Sequence, residues 1–169
     1  LLSLALYAIL NQPLKLRKLV KEKTAELQEL AYNDPLTGLP NRRFLQDSLS
    51  KILHNNQRRK RVSAFIYFDL DNFKRINDTI GHDVGDQVLV IAAERLNKLK
   101  GISDLVVRLG GDEFGILLGD IGDKAQAAEQ ANRILESIRA PIKMDSRDYN
   151  LSTSLGIAMI PEHGYDLVT

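Results

Sequence analysis

Cysteine is absent from the 169 residues, which excludes disulfide bonds and thiolate metal sites. A strong charge of either sign is absent too. The 23 Lys and Arg against 22 Asp and Glu leave a formal net charge of +1, too weak a field to make nucleic acid the main partner. Nor is there an apolar run long enough to cross a bilayer: the stretch Leu1 to Leu10 is half of the roughly 20 residues that a span needs. Lys15, Arg17, Lys18, Lys21 and Lys23 follow it closely, as basic residues follow the cytoplasmic exit of a membrane helix. Two readings stay open there. One is a fragment of a longer inner-membrane protein with its cytoplasmic domain attached; the other is an amphipathic or buried helix. A signal peptide is disfavoured, because no basic segment precedes the apolar run and no small-residue cleavage site follows it cleanly. What is present, 44% hydrophobic and 27% charged residues, fits one globular domain plus an appendage.

From Leu14 to Ala31, Leu16, Val20, Leu27 and Leu30 fall at alternating spacings of four and three, with Lys23 interrupting. This is a short heptad seam, or a single amphipathic helix docked on its own domain. Asn33-Asp34-Pro35 ends the helix, since the residue before proline leaves the α region. Asn41 can cap a helix from Arg42 to about Leu53 with Phe44, Leu45, Leu49 and Ile52 as its buried stripe. The basic run Arg58 to Arg61 is a solvated loop or an anion or membrane patch.

Val62 to Leu70 is a continuous apolar run, suited to a central strand covered on both faces. Asp69 and Asp71 stand at its end on the same side. Asp71 has a local explanation as a helix N-cap. Asp69 has none, and a carboxylate closing an apolar strand is costly unless a cation meets it, so it is a candidate metal ligand. Beyond it, Gly81 suits the end of one helix and Asp83 the cap of the next, which buries Leu89, Ala92, Leu96 and Leu99. Asn77 and Asp86 have no clear capping role. An amide and a carboxylate could read the edge of guanine and reject adenine, although Asp86 is also an ordinary first-turn helix acid.

Two apolar runs meet at Gly110-Gly111-Asp112-Glu113. The glycine pair suits a tight hairpin and lets a bulky polar ligand approach. The two acids beside it repel unless a cation lies between them, so the tip is either a divalent-metal site or an acidic turn facing water. After the hairpin, Asp123 can cap a helix to about Arg139 with Ala127, Ala128, Ala131, Ile134, Leu135 and Ile138 facing the sheet, and Pro141 breaks it. A strand pair follows around Asp145 to Asp148, its second member central.

The literal string RLGGDEF, with DPLTGLPNRR and FDLDNFKRINDTIGHDVGDQVL before it, resembles the GGDEF family of diguanylate cyclases, from about Asn33 to the end of the chain. The resemblance implies an α/β fold, a ferredoxin-like nucleotide-cyclase palm, in residues 33–169, with 1–32 as a membrane-proximal or coiled-coil signalling helix. It implies a homodimer through that helix, a magnesium or manganese cofactor, and condensation of two GTP molecules into cyclic di-GMP. By position, Asp69, the Leu70 carbonyl and Asp112 would bind metal, with Glu113 a further metal or catalytic carboxylate. Asn77 and Asp86 would contact guanine with His82 nearby, and Phe73 and Lys74 would lie along the phosphates beside Gly110 and Gly111.

Two departures stand out. The family's product-inhibition site is Arg-x-x-Asp shortly before the Gly-Gly pair; here those residues are Gly101 and Asp104, so inhibition through that site is not expected. The basic helix that usually follows SLGIAMIPEHG is not within the sequence. The last segment is similar to GGDEF domains that precede an EAL phosphodiesterase domain. A catalytically silent GTP-binding module controlling such a neighbour is therefore the alternative; a pure dimerisation scaffold would not need the acids, Asn77 and Asp86 together.

Overall fold

The computed structural model describes residues 2–59, 62–144, 147–160 and 162, and the side chains of 2–14, 53 and 55–59 lie outside that description. In chain order the elements are α1 (Leu2–Tyr32), α2 (Arg42–Arg59), β1 (Val62–Leu70), α3 (Phe73–Ile80), α4 (His82–Leu99), β2 (Leu105–Gly110), β3 (Glu113–Ile121), α5 (Lys124–Arg139), β4 (Ile142–Met144), β5 (Arg147–Tyr149) and β6 (Thr153–Ile160). The main sheet has the order β2-β3-β1-β6, and its pairings are antiparallel. Helices between β1 and β2 and between β3 and β6 complete the β-α-β-β-α-β palm expected from the resemblance.

Strand alternation builds the core. Ala64, Ile66, Phe68 and Leu70 point to one face of β1 and are buried with Val88, Leu89, Ala92 and Leu96 of α4 and Ala127, Ala131, Ile134 and Ile138 of α5. Phe68 and Phe114 stack at 5.8 Å between ring centres, each worth about 1.5–3 kcal/mol through burial alone. The opposite face is covered in part only. Leu45 and Leu49 of α2 close over Val107 and Leu117, whereas Tyr67 is 39% exposed. β1 is thus central but not covered on both faces along its length: the cover stops where the functional end begins.

Several local expectations hold. Asn41 caps α2, its Oδ1 accepting from Phe44 N at 3.0 Å, and Asp123 caps α5 by accepting from Gln126 N at 2.9 Å. Others are corrected. α2 runs to Arg59 instead of Leu53, since no Gly or Pro interrupts it. The α3 N-cap is Asn72, in the left-handed region, while Gly81 stands before α4 with no side-chain cap; neither Asp71 nor Asp83 caps a helix. Leu99 of α4 is only part-buried, and Ala128 of α5 faces solvent. β4 and β5 form a separate two-stranded sheet and β6 is an edge strand, so the second member of the expected pair is two strands, neither of them central. The turn at Asp145 lies outside the described residues.

Among its described side chains, α1 is not docked along its own domain from Lys15 to Leu30. Leu16, Leu19, Val20, Leu27 and Leu30 are 51–68% exposed. Its last turn is held by Tyr32, which packs edge-on against Phe44 at 5.9 Å and donates to Asp47 at 2.9 Å. Among the described residues no helix is long and apolar enough to cross a membrane. The side chains of the basic run 58–61 lie outside the description.

Candidate active site

The site is built at the end of β1, where its neighbours on β3 and β6 finish. Asp69 stands directly opposite Glu113 in the β1–β3 register, one residue beyond the Phe68 and Phe114 pair. Alternation therefore puts two rings inside and two carboxylates outside. Leu70 N donates to the Asp112 carbonyl at 3.2 Å, which ties the hairpin tip to the strand end. Like charges directly across a sheet oppose folding, and two features act on this pair. Tyr67, two residues before Asp69 on the same face, donates its hydroxyl to Glu113 Oε1 at 2.6 Å. Arg42 Nη2 approaches Glu113 Oε2 at 3.4 Å. The hydrogen bond to Glu113, then burial and the nearby carboxylates, push the Tyr67 phenol up to about 12. Among the described residues no cationic side chain pairs with Asp69 or Asp112, and no three acids or histidines converge into a metal cage. Asp71 lies beyond the strand, accepting from Ser154 Oγ at 2.9 Å.

The hairpin differs from the expected Gly-Gly loop. Gly110 pairs with Glu113, so the two linking residues are Gly111 and Asp112. Gly110 and Gly111 have φ of 146° and 52°, which a side chain would strain. Arg108, 9% exposed, holds this shape. Its Nε and Nη2 donate to the Gly111 carbonyl at 3.1 and 2.7 Å, and its Nη1 to Asp34 Oδ1 at 2.8 Å. Asp34 also accepts from Thr37 N and Oγ1. Burial would raise the Asp34 carboxyl, but the bonds from Thr37 and Arg108 outweigh it and hold it below its ordinary value. The turn that leaves α1 and the hairpin tip are thus fastened through one guanidinium.

The nucleotide-binding candidates lie around α3 and α4. Asp86 lines an open, mainly apolar cavity of about 260 Å³ with Leu36, Gln87, Val90 and Ile91. Asn77 is not part of that lining. It packs beneath Gly85, where an added Cβ would stand 1.8 Å from its Oδ1, and that buried oxygen has no hydrogen-bond partner. A buried, unpaired amide oxygen costs about 1–3 kcal/mol. Lys74 and His82 are exposed, whereas the Phe73 side chain is 8% exposed and belongs to the core. Only the backbone of Phe73 is left to face a phosphate, at an α3 N-terminus with no side-chain cap.

Comparison with known proteins decides what this arrangement belongs to. The family described as "Diguanylate cyclase, GGDEF domain" matches residues 31–169. The chain belongs to the GGDEF family. Diguanylate cyclase TpbB of Pseudomonas aeruginosa is 41% identical over 145 residues, which are 85% of this chain and 33% of that protein. Cyclic di-GMP phosphodiesterase NbdA of the same organism is 38% identical over 140 residues, 83% of this chain and 18% of that protein. A solved structure comprising only the GGDEF domain of TpbB superposes with a TM-score of 0.76 at 42% identity, covering 79% of this chain and 78% of that one. The chain spans a third or less of the length of these curated relatives.

In this GGDEF domain Gly101 and Asp104 form a closed turn of their own. Asp104 Oδ2 accepts from Gly101 N at 2.7 Å and Oδ1 from Gly119 N at 3.2 Å. Asp104 therefore has a structural occupation in the absence of an arginine. Sequence reasoning missed Tyr67, Arg42, Arg108 and Leu36. Arg108 carried a legible signal, a charged residue inside an apolar strand run; Tyr67, Arg42 and Leu36 carried none without the sheet pairing.

Proposed function

We propose that this domain condenses two GTP molecules into cyclic di-GMP and pyrophosphate, as half of a homodimer joined through the exposed stripe of α1. The observation that carries the reading is the acidic end of the sheet, where Asp69 and Asp112 have no cationic partner among the described residues: Asp69 faces Glu113 in register, and the Asp112 carbonyl is tied to Leu70. Carboxylates and a backbone carbonyl are hard oxygen donors, which fit magnesium or manganese. Asp69, Asp112 and the Leu70 carbonyl would hold the ion, with Glu113 beside them. When bound, it supplies charge stabilisation at the α-phosphate and the leaving pyrophosphate. The 3'-hydroxyl of one GTP attacks the α-phosphorus of the other. A phosphorus–oxygen bond forms, the anhydride to the β-phosphate breaks and the hydroxyl proton leaves to a carboxylate; the reciprocal attack then closes the ring and releases a second pyrophosphate.

The chain's own groups bind and orient. The uncapped start of α3 offers backbone N–H groups to phosphate, with Lys74 adding charge, and Gly110 and Gly111 keep the hairpin backbone open to the nucleotide. Asp86 meets the exocyclic amine and ring N–H of guanine in the cavity beside Leu36 and Val90. Asn77 would meet the same base on turning its amide out from beneath Gly85, and His82 stands nearby. One domain holds one GTP, so two copies must face each other. The basic residues after the apolar start support a parent protein held at the inner membrane with this domain in the cytoplasm.

The similarity to NbdA favours a second reading, a silent GTP-binding module that governs an adjacent phosphodiesterase domain. Incubation with GTP and magnesium, with product identified by mass, separates the two. Cyclic di-GMP from the wild type, lost in Asp112→Ala with circular dichroism unchanged, is the expected result. GTP binding without product would favour the silent module.

A further inference from the structure

Tyr67 is an odd residue for its place. It is a large aromatic, 39% exposed, at the centre of a four-stranded sheet, and its neighbours in register on both sides are glycines: Gly115 on β3 and Gly156 on β6. On the β3 side the Phe65 ring lies over Gly115, while nothing stands within 4 Å of where a Cβ on Gly156 would be, so the β6 flank of Tyr67 is open and burial of its ring is incomplete. Its hydroxyl instead reaches diagonally to Glu113, at 2.6 Å. Arg42 is equally out of place. It opens α2, where the helix dipole disfavours a cation, and is steadied there by the Leu109 carbonyl at 3.4 Å and by Glu113 Oε2.

We propose that Tyr67 is a positioning residue for Glu113: its hydroxyl fixes one carboxylate oxygen while Arg42 meets the other, so the side chain opposite Asp69 keeps one orientation. Two fixed oxygens deny Glu113 the free rotation that a carboxylate turned into a metal's coordination sphere would use. They leave Asp69 and Asp112 as the acids free for the ion and Glu113 as a rigid carboxylate next to it. In the 2.6 Å contact the Tyr67 hydroxyl is the donor and the Glu113 carboxylate the acceptor. The role rests on the cyclase reading, yet the contact itself can be read without turnover.

Tyr67→Phe removes one oxygen and keeps the ring. In the wild-type background it should lower kcat roughly tenfold, as displacement of an aligned group does, while KM for GTP stays within about twofold. In a Glu113→Gln background, with residual turnover followed by mass, the same change should cost nothing further. Unchanged kcat in Tyr67→Phe, or an equal loss in both backgrounds, would overturn the proposal. In protein labelled with ¹³C-tyrosine, the Tyr67 Cζ resonance, assigned by its absence from Tyr67→Phe, should move on Glu113→Gln. If it does not move the contact is wrong; if it moves in a protein that makes no cyclic di-GMP, the contact stands and the cyclase reading is what fails.

Discussion

At the hairpin tip, the charged and backbone groups that shape the turn are matched within one chain: Arg108 to Gly111 and Asp34, Glu113 to Tyr67 and Arg42, Leu70 to Asp112. Along α1 the opposite holds, because Leu16, Val20, Leu27 and Leu30 form a stripe that the same chain leaves to solvent. Apolar side chains at heptad spacing gain nothing from exposure. Under the proposed reaction, the contrast separates what a single copy can complete, the shape of the hairpin tip, from what a second copy would complete, the meeting of two substrates. Both regions join at the turn between Asn33 and Asn41, where Asn41 Nδ2 donates to the Ala31 carbonyl and Pro40 O accepts from Arg108 N.

The sharpest way to break this comparison is at Arg108. Arg108→Ala leaves the Gly111 carbonyl without its guanidinium donor and the part-buried Asp34 with Thr37 alone; loss of one partner of a buried pair costs about 3–5 kcal/mol, an upper bound here because Thr37 remains. Denaturant unfolding should register that loss. Arg108→Lys should recover only part of it, since an ammonium cannot reproduce the planar fork. A smaller effect is expected at Asp86→Ala, where the preference for GTP over ATP in a binding titration should fall by about 1–3 kcal/mol, with the hairpin unaffected.

Turning to the helix, Leu27→Glu with Leu30→Glu should leave folding of residues 33–160 unchanged while sedimentation reports monomer. Turnover should then drop by roughly tenfold at low protein concentration and recover as concentration rises, as a tethering loss does. If the double variant keeps full turnover as a monomer, α1 is not the dimerising element. The smallest effect concerns pH. The folded-state pKa of Asp34 lies below its ordinary 3.8, so its contribution is complete above that value and is lost as pH falls through the depressed one. Asp34→Asn should therefore be less stable than the wild type near neutrality, and the gap should close in acid unfolding below about pH 4.

The sequence by itself determined the helix starts at Asn41 and Asp123, the span of β1, the end of α1 before Asp34, and the family, because caps, alternation and literal motifs are local or contiguous. It placed Asp69 at a strand end and Asp112 and Glu113 at a hairpin. It misplaced the caps at Asp71 and Asp83, where Asn72 takes a left-handed conformation and Gly81 serves both neighbouring helices, and it read β5 and β6 as one strand. Only the tertiary structure decided that Asp69 faces Glu113, that Tyr67 reaches Glu113 diagonally, that Arg108 binds a turn 74 residues away, and that the Asn77 amide oxygen lies buried under Gly85. The physical reason is that strand register and helix packing bring together residues of large sequence separation, and neither propensity nor spacing carries the register.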